Sequence, residues 1–156
     1  MAADAPDHVG PSGQRDPFAL QRFVLAQETD ETYQRATAEL RAGRKTSHWM
    51  WFVFPQIKGL GGSDMAQHYA ISGLEEARAY LAHPVVGERP VECARILSEL
   101  SRSDAIAILG GTDAQKLQSS MTLFARAAPE TAVFRMVLDK FFAGERDAGT
   151  TSRLEH

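Results

Sequence analysis

Apolar residues recur along this chain at helical spacing, in blocks separated by glycine, proline and capping side chains. Phe18, Phe23, Val24 and Ala26 follow Asp16-Pro17, a capping carboxylate and a proline suited to a first helical turn. From about Asp30 a second block puts Tyr33, Ala36 and Leu40 on one face and stops at Gly43. Beyond a glycine-rich stretch, Ser63-Asp64 caps a turn carrying Met65, His68 and Tyr69. Ser72 and Glu75 have the spacing of a capping box that leads into Leu74, Ala77 and Leu81 and closes at His83-Pro84. Val91 to Leu100 carries Ile96, Leu97 and Leu100, with Pro90 starting or kinking the helix. Ser103-Asp104 caps a short apolar turn ended by Gly110-Gly111. Thr112 and Gln115 form a second box, opening a helix with Leu117, Met121, Phe124 and Ala128. Pro129 starts a last helix through Val133, Phe134, Val137 and Phe141 to Gly144.

One block breaks the period. Ser47-His48-Trp49-Met50-Trp51-Phe52-Val53-Phe54-Pro55-Gln56 holds both tryptophans of the chain, and Gly59-Leu60-Gly61-Gly62-Ser63 follows closely. So dense an apolar run is a buried strand or a short buried helix. No second run offers it a sheet partner, so we read a short helix stopped by Pro55. The expectation is an all-α fold, a single compact domain of about seven to eight short helices.

Composition sharpens this picture in a few places. Residues 1–15 hold almost nothing to bury and read as a disordered leader; 16–146 read as the helical domain. Residues 147–156 read as a tail, whose Leu154-Glu155-His156 looks like a tag remnant. A formal net charge of -3 gives no electrostatic drive toward nucleic acid or membrane, and no apolar run is long enough to span a bilayer. The single cysteine, Cys93, excludes an internal disulfide and fits a reducing cytoplasm; a monomer is the favoured state.

Several strings then carry a resemblance. They are Asp16-Pro17-Phe18 with Arg22-Phe23 and Ala26-Gln27; Gly43-Arg44-Lys45 through His48-Trp49-Met50-Trp51-Phe52 and Phe54-Pro55-Gln56; and Gly59-Leu60-Gly61 with Tyr69-Ala70-Ile71. Glu76-Ala77-Arg78-Ala79-Tyr80-Leu81 with His83-Pro84 follows, and then Asp113, Lys116-Leu117 and Ser119-Ser120-Met121-Thr122-Leu123-Phe124. Together they resemble the bacterial domain-of-unknown-function family 1810 over nearly the whole chain after the leader. The resemblance implies a mainly α-helical single domain and brings no established activity. Pro90 and Leu109 depart from it, standing where the family tends to have an aliphatic and an aromatic residue.

Candidate chemistry gathers at the two ends of the aromatic block. Arg44, Lys45 and His48 precede it; such cations hold phosphate or carboxylate while Trp49 and Trp51 offer ring faces. The opposing reading has the basic residues at the end of the second helix answering its dipole, and the tryptophans filling the core. Gly61 and Gly62 belong to a loop of the kind that closes backbone N–H groups on an anion, though neither nucleotide fingerprint is met and a plain tight connection serves as well. Lys116, Ser119 and Ser120 lie at i, i+3 and i+4, so a helix brings the lysine near either hydroxyl; a lysine of lowered pKa activates a serine, while serines in helices more often pack. His48 is the candidate acid or base. Gln56, Tyr69 and Asp113 complete a candidate polar cluster. His48, His68 and His83 lack metal-ligand spacing, so neither a metal nor any other cofactor is implied.

Three functions fit these residues. In the first, a pocket of Arg44, Lys45, His48, Trp49, Trp51, Gln56, Gly61, Gly62, Tyr69 and Lys116 binds, or also processes, a small anionic or nucleotide-like ligand, with His48, Lys116, Ser119 and Ser120 as the catalytic candidates. In the second, the aromatic block is an exposed patch for protein or RNA. In the third, the block is core and function lies elsewhere. The first is favoured, without an assignment as an enzyme.

Overall fold

Asp16 caps as expected: its two carboxylate oxygens accept from Leu20 N and Gln21 N at 2.7 and 2.9 Å. This caps the turn that feeds helix α1, Gln21–Glu28. The computed structural model describes residues 15–155, so the leader expected at 1–15, apart from Arg15, and the expected tag residue His156 lie outside the described residues.

A 3-10 turn, Thr29–Glu31, separates α1 from α2, Thr32–Arg41, which therefore starts later than the sequence pattern suggests. Asp30 and Glu31 both take positive φ there, which breaks the helical run. Gly43, at φ +73, turns the chain out of α2. The aromatic block forms α3, the single turn Met50–Val53, ahead of a buried Pro55. A parallel bridge pairs Ile57 with Ile71, through Lys58 N–H to Ile71 O and Ile71 N–H to Gln56 O; among the described residues no strand forms.

Then come α4, Asp64–His68, capped by Ser63 Oγ on Ala66 N; α5, Leu74–Ala82; and α6, Glu88–Glu99. The capping box expected at Ser72–Glu75 does not form: Gly73 takes the N-cap place with no side chain to cap it, and Glu76 instead accepts from the N–H and hydroxyl of Ser72. Pro90 lies in the first turn of α6, where a helix has no use for its N–H, so the helix is unbroken. α7, Ala105–Leu109, is capped by Asp104 as expected. α8, Gly111–Ala127, follows directly across Gly110, whose φ of +90 permits the sharp change of direction. The Thr112–Gln115 box does not form: the helix already starts at Gly111, so Thr112 lies inside it and no side chain caps the end. α9 is Val133–Phe142.

The expected tail is a helix as well. In α10, Ala148–Leu154, the N-cap Asp147 accepts from Thr150 N at 2.8 Å, and Thr150 is fully buried. Ten α-helical segments are thus described, more than the expected seven to eight, since one-turn elements and α10 add to the count.

The core forms around α8, which packs against α5, α7, α9 and α10. Its Leu117, Met121, Leu123 and Phe124 are fully enclosed. Phe124 meets Tyr80 and Phe134 at ring distances of 5.6 Å each, and Tyr80 meets Phe23 edge-on at 4.9 Å. Each such pair adds about 0.5–1.5 kcal/mol beyond simple burial. Two polar side chains beside them, Gln27 and Arg22, are fully engaged. Gln27 donates to Phe52 O and Tyr80 Oη and accepts from Arg89, while Arg22 spends its N–H donors on Phe18 O, Ala19 O, His68 O, Ala70 O and Glu76. Among the described residues no helix is long and apolar enough to cross a membrane.

Candidate functional site

Glu39, on the last turn of α2, organises the loop that leads into the aromatic block. Its carboxylate accepts from Thr46 N, Ser47 N and the indole N–H of Trp49 at 2.8, 3.0 and 2.9 Å, and from the Ser47 hydroxyl. Burial works to raise this carboxyl, but the hydrogen bonds outweigh it and hold its pKa down at about 2. The loop is also tied to α7, through Lys45 N–H to Ile108 O at 2.8 Å.

From this loop the Lys45 side chain crosses to α8. Its ammonium donates to Ser47 O at 2.6 Å, pairs with Asp113 Oδ2 at 2.9 Å and lies 5.0 Å from the Trp49 ring centre. Lys116, one turn further along α8, lies 3.6 Å from Asp113 Oδ1 and 4.9 Å from the Trp51 ring. One carboxylate therefore sits between two ammonium groups, each over a different tryptophan. The contact to Lys45, at Oδ2, is tight and nearly buried, and the contact to Lys116, at Oδ1, is looser.

Lys116 also borders a cleft of about 320 Å³. Its walls are Gln56, Leu60 and Gly61 from the stretch after the aromatic block; Thr112, Gln115, Lys116 and Ser119 from α8; and Asp147 and Gly149 from the start of α10. The glycine loop is shaped by packing: a Cβ on Gly61 would lie 2.6 Å from the Ala66 methyl, and Gly59, at φ +100, accepts from Arg153 at 2.9 Å. Two larger concavities lie elsewhere. The one of about 510 Å³ contains Arg22, His68 and Tyr69, but its arginine is already saturated with protein acceptors. The one of about 640 Å³, beside Ile106, Phe141 and Phe142, has no cation in its wall. Of the three, the Lys116 cleft alone combines a cation of loose internal pairing with several neutral hydrogen-bonding groups.

The expected site residues divide accordingly. Gln56, Gly61, Lys116 and Ser119 meet at the cleft, and Lys45 and Asp113 stand behind it. Trp51 is half-buried beneath Lys116, whereas Trp49 is completely enclosed and so forms no wall. Arg44 and His48 are exposed and border none of these three cavities. Gly62 accepts from Gln67, and Tyr69 packs on Phe23 and Phe52 and faces the other concavity. No lysine–serine pair forms: Ser119 Oγ donates to Gln115 O at 3.1 Å, and Ser120 is sealed in the core with its hydroxyl unpartnered. Among the described residues no group of three His, Cys, Asp or Glu side chains is placed to hold a metal ion. Leu60, Thr112, Gln115, Asp147 and Gly149 are cleft residues the sequence reading missed. The Asp147-x-x-Thr150 capping pattern was the available signal for the last two.

Comparison with known proteins adds kinship without chemistry. The family model described as "Protein of unknown function (DUF1810)" matches residues 17–154. The crystal structure of the conserved hypothetical protein Rv1873 from Mycobacterium tuberculosis is 48% identical, covers 90% of this chain and 99% of its own, and superposes with a TM-score of 0.87. No curated protein matches.

Proposed function

The chain belongs to the DUF1810 family of proteins of unknown function, and from the site itself we propose that it binds a small anionic ligand, a carboxylate or phosphate, at Lys116. The observation that carries this is the placement of Lys116 in the wall of a cleft, with its one carboxylate neighbour already held at 2.9 Å by Lys45. Lys45 and Lys116 against Asp113 leave a net positive charge on the α8 side of the cleft, with Asp147 standing in the wall that α10 supplies. Gln56, Thr112 and Gln115 add neutral donors and acceptors that orient a bound group. The volume lies at the small end of ligand pockets, which favours a compact metabolite over a whole nucleotide.

The interaction-module reading requires an exposed aromatic patch. The large apolar residues exposed in the described chain are Leu25, Met65, Val85, Ile106 and Met136, none of them in the aromatic block. The buried, unpaired Cys93 suits a reducing compartment, and the cytoplasm is the proposed location.

A thermal-shift screen with inorganic phosphate, phosphorylated metabolites and mono- and dicarboxylates tests the proposal. A ligand at a hundred times its Kd raises the melting point by about 5–10 °C for a protein of this size. The shift vanishes in Lys116→Ala and survives in His48→Ala, whose side chain is exposed outside the cleft wall. A flat screen, or a shift that survives Lys116→Ala, overturns the proposal.

A further inference from the structure

We propose that the ligand of this cleft is a compact zwitterion, an α-amino acid or a similarly small ammonium carboxylate, with Lys116 receiving its carboxylate and Asp147 its ammonium. This rests on the reading of the cleft as a binding site and specifies its ligand class.

The argument starts from Asp147. It lines the same cavity as Lys116, yet the two are not paired with each other: the lysine's ion-pair contact is Asp113. Of the two Asp147 oxygens, Oδ2 accepts from Thr150 N and Thr150 Oγ1 at 2.8 and 2.7 Å, while Oδ1 has no partner among the described residues. The residue is held firmly, since its own N–H donates to the buried Thr122 hydroxyl at 2.9 Å. A rigid carboxylate thus keeps one acceptor oxygen in reserve.

Charge balance selects the ligand. Among the residues that line the cleft, Lys116 and Asp147 carry one charge of each sign, so a ligand bearing one of each answers both, whereas a dianion is repelled by Asp147. Two opposite charges left apart in a confined cleft are both answered by a molecule that carries one of each. The cavity of about 320 Å³ has room for a molecule of this size, and the amides of Gln56 and Gln115 suit a polar side chain.

Isothermal titration calorimetry on the full chain decides. Glycine, L-alanine and L-glutamine are compared with acetate, propionate and inorganic phosphate, on the parent, Lys116→Met and Asp147→Asn. Asparagine caps a helix as well as aspartate, so Asp147→Asn keeps α10; Asp147→Ser, capping through its hydroxyl, is the second variant if the first unfolds. The expected result is binding of at least one amino acid, at least tenfold weaker binding of the carboxylates that lack an ammonium group, and at least tenfold loss in both variants. Equal or tighter binding of acetate, propionate or phosphate, unchanged or improved in Asp147→Asn, overturns the zwitterion while leaving the anion reading standing. No binding of any probe overturns the zwitterion, and with a flat thermal-shift screen it overturns both.

Discussion

The indole N–H of Trp49 donates to the Glu39 carboxylate at 2.9 Å, joining the largest fully buried side chain among the described residues to the last turn of α2. This bond explains how a tryptophan with a polar edge is accommodated at zero exposure. It also makes Glu39 the residue on which the loop before the candidate site depends.

Glu39→Ala therefore destabilises the protein by more than a surface substitution does. It orphans the buried indole N–H and leaves the loop donors to water, which costs about 1–3 kcal/mol for the buried donor alone. Urea unfolding followed by tryptophan fluorescence measures this. The pH dependence has a definite sign. The carboxyl titrates near 2 in the fold and at its ordinary 4.5 when unfolded, so its contribution is complete above 4.5 and is lost as pH falls toward about 2. Glu39→Gln flattens the stability curve in that window. An unchanged curve contradicts the assignment.

Lys45 and Lys116 share Asp113 and are expected to behave differently. Lys45→Met breaks a pair whose lysine is only 9% exposed and leaves Asp113 with the looser Lys116 contact alone, for a loss of about 2 kcal/mol. Lys116→Met removes a looser contact and costs less than about 1 kcal/mol. Combining Lys45→Met with Asp113→Asn costs less than the sum of the two single changes, because each destroys the same contact. Additive losses in the double variant count against the pairing.

His83 supplies a second pH signature. Burial depresses its pKa, with Asp16 opposing weakly, and its Nδ1 accepts from Val85 N and Val86 N, a role open only to the neutral ring. The unfolded chain binds the proton more tightly, so the contribution is complete above about 6.5 and declines as pH falls below it. Chemical denaturation between pH 5 and 8 shows a slope in the parent that shrinks in His83→Asn. Equal slopes reject the assignment.

Cys93 is expected to be inert. Its thiol is fully buried, which pushes its pKa up to about 12, with the contact to the Tyr33 hydroxyl opposing. An aromatic disulfide reagent at pH 8 reacts with it only as fast as the protein opens, and mild denaturant accelerates the reaction. Fast stoichiometric labelling of the native protein is the contrary result.

The sequence was legible wherever the determinant was local. Asp16, Ser63 and Asp104 cap where their side chains announce it, and the aromatic block is a helix stopped ahead of Pro55. The division of labour between Trp49 and Trp51 was not legible. They lie two residues apart at the entry to a single turn, and only the positions of Glu39 and α8 decide that one ring is enclosed and the other lies under Lys116. The cleft was half visible for a similar reason: Gln56 and Lys116 stood out as chemistry, but its remaining wall starts in α10. Ala148-Gly149-Thr150-Thr151-Ser152 has weak helical propensity and forms a helix because Asp147 caps it and Thr150 and Leu154 dock on the core.

That docking imposes an order on how the site comes into being. Arg153 reaches back to Gly59 across 94 residues of sequence, and Asp147 and Gly149 close the cleft that Gln56 and Lys116 open. A chain still being synthesised, or one clipped after Arg146, carries Lys116 and both tryptophans yet lacks one wall of the cleft. Under the proposed function, ligand retention distinguishes molecules in which α10 has been made and docked from those that stop short of it.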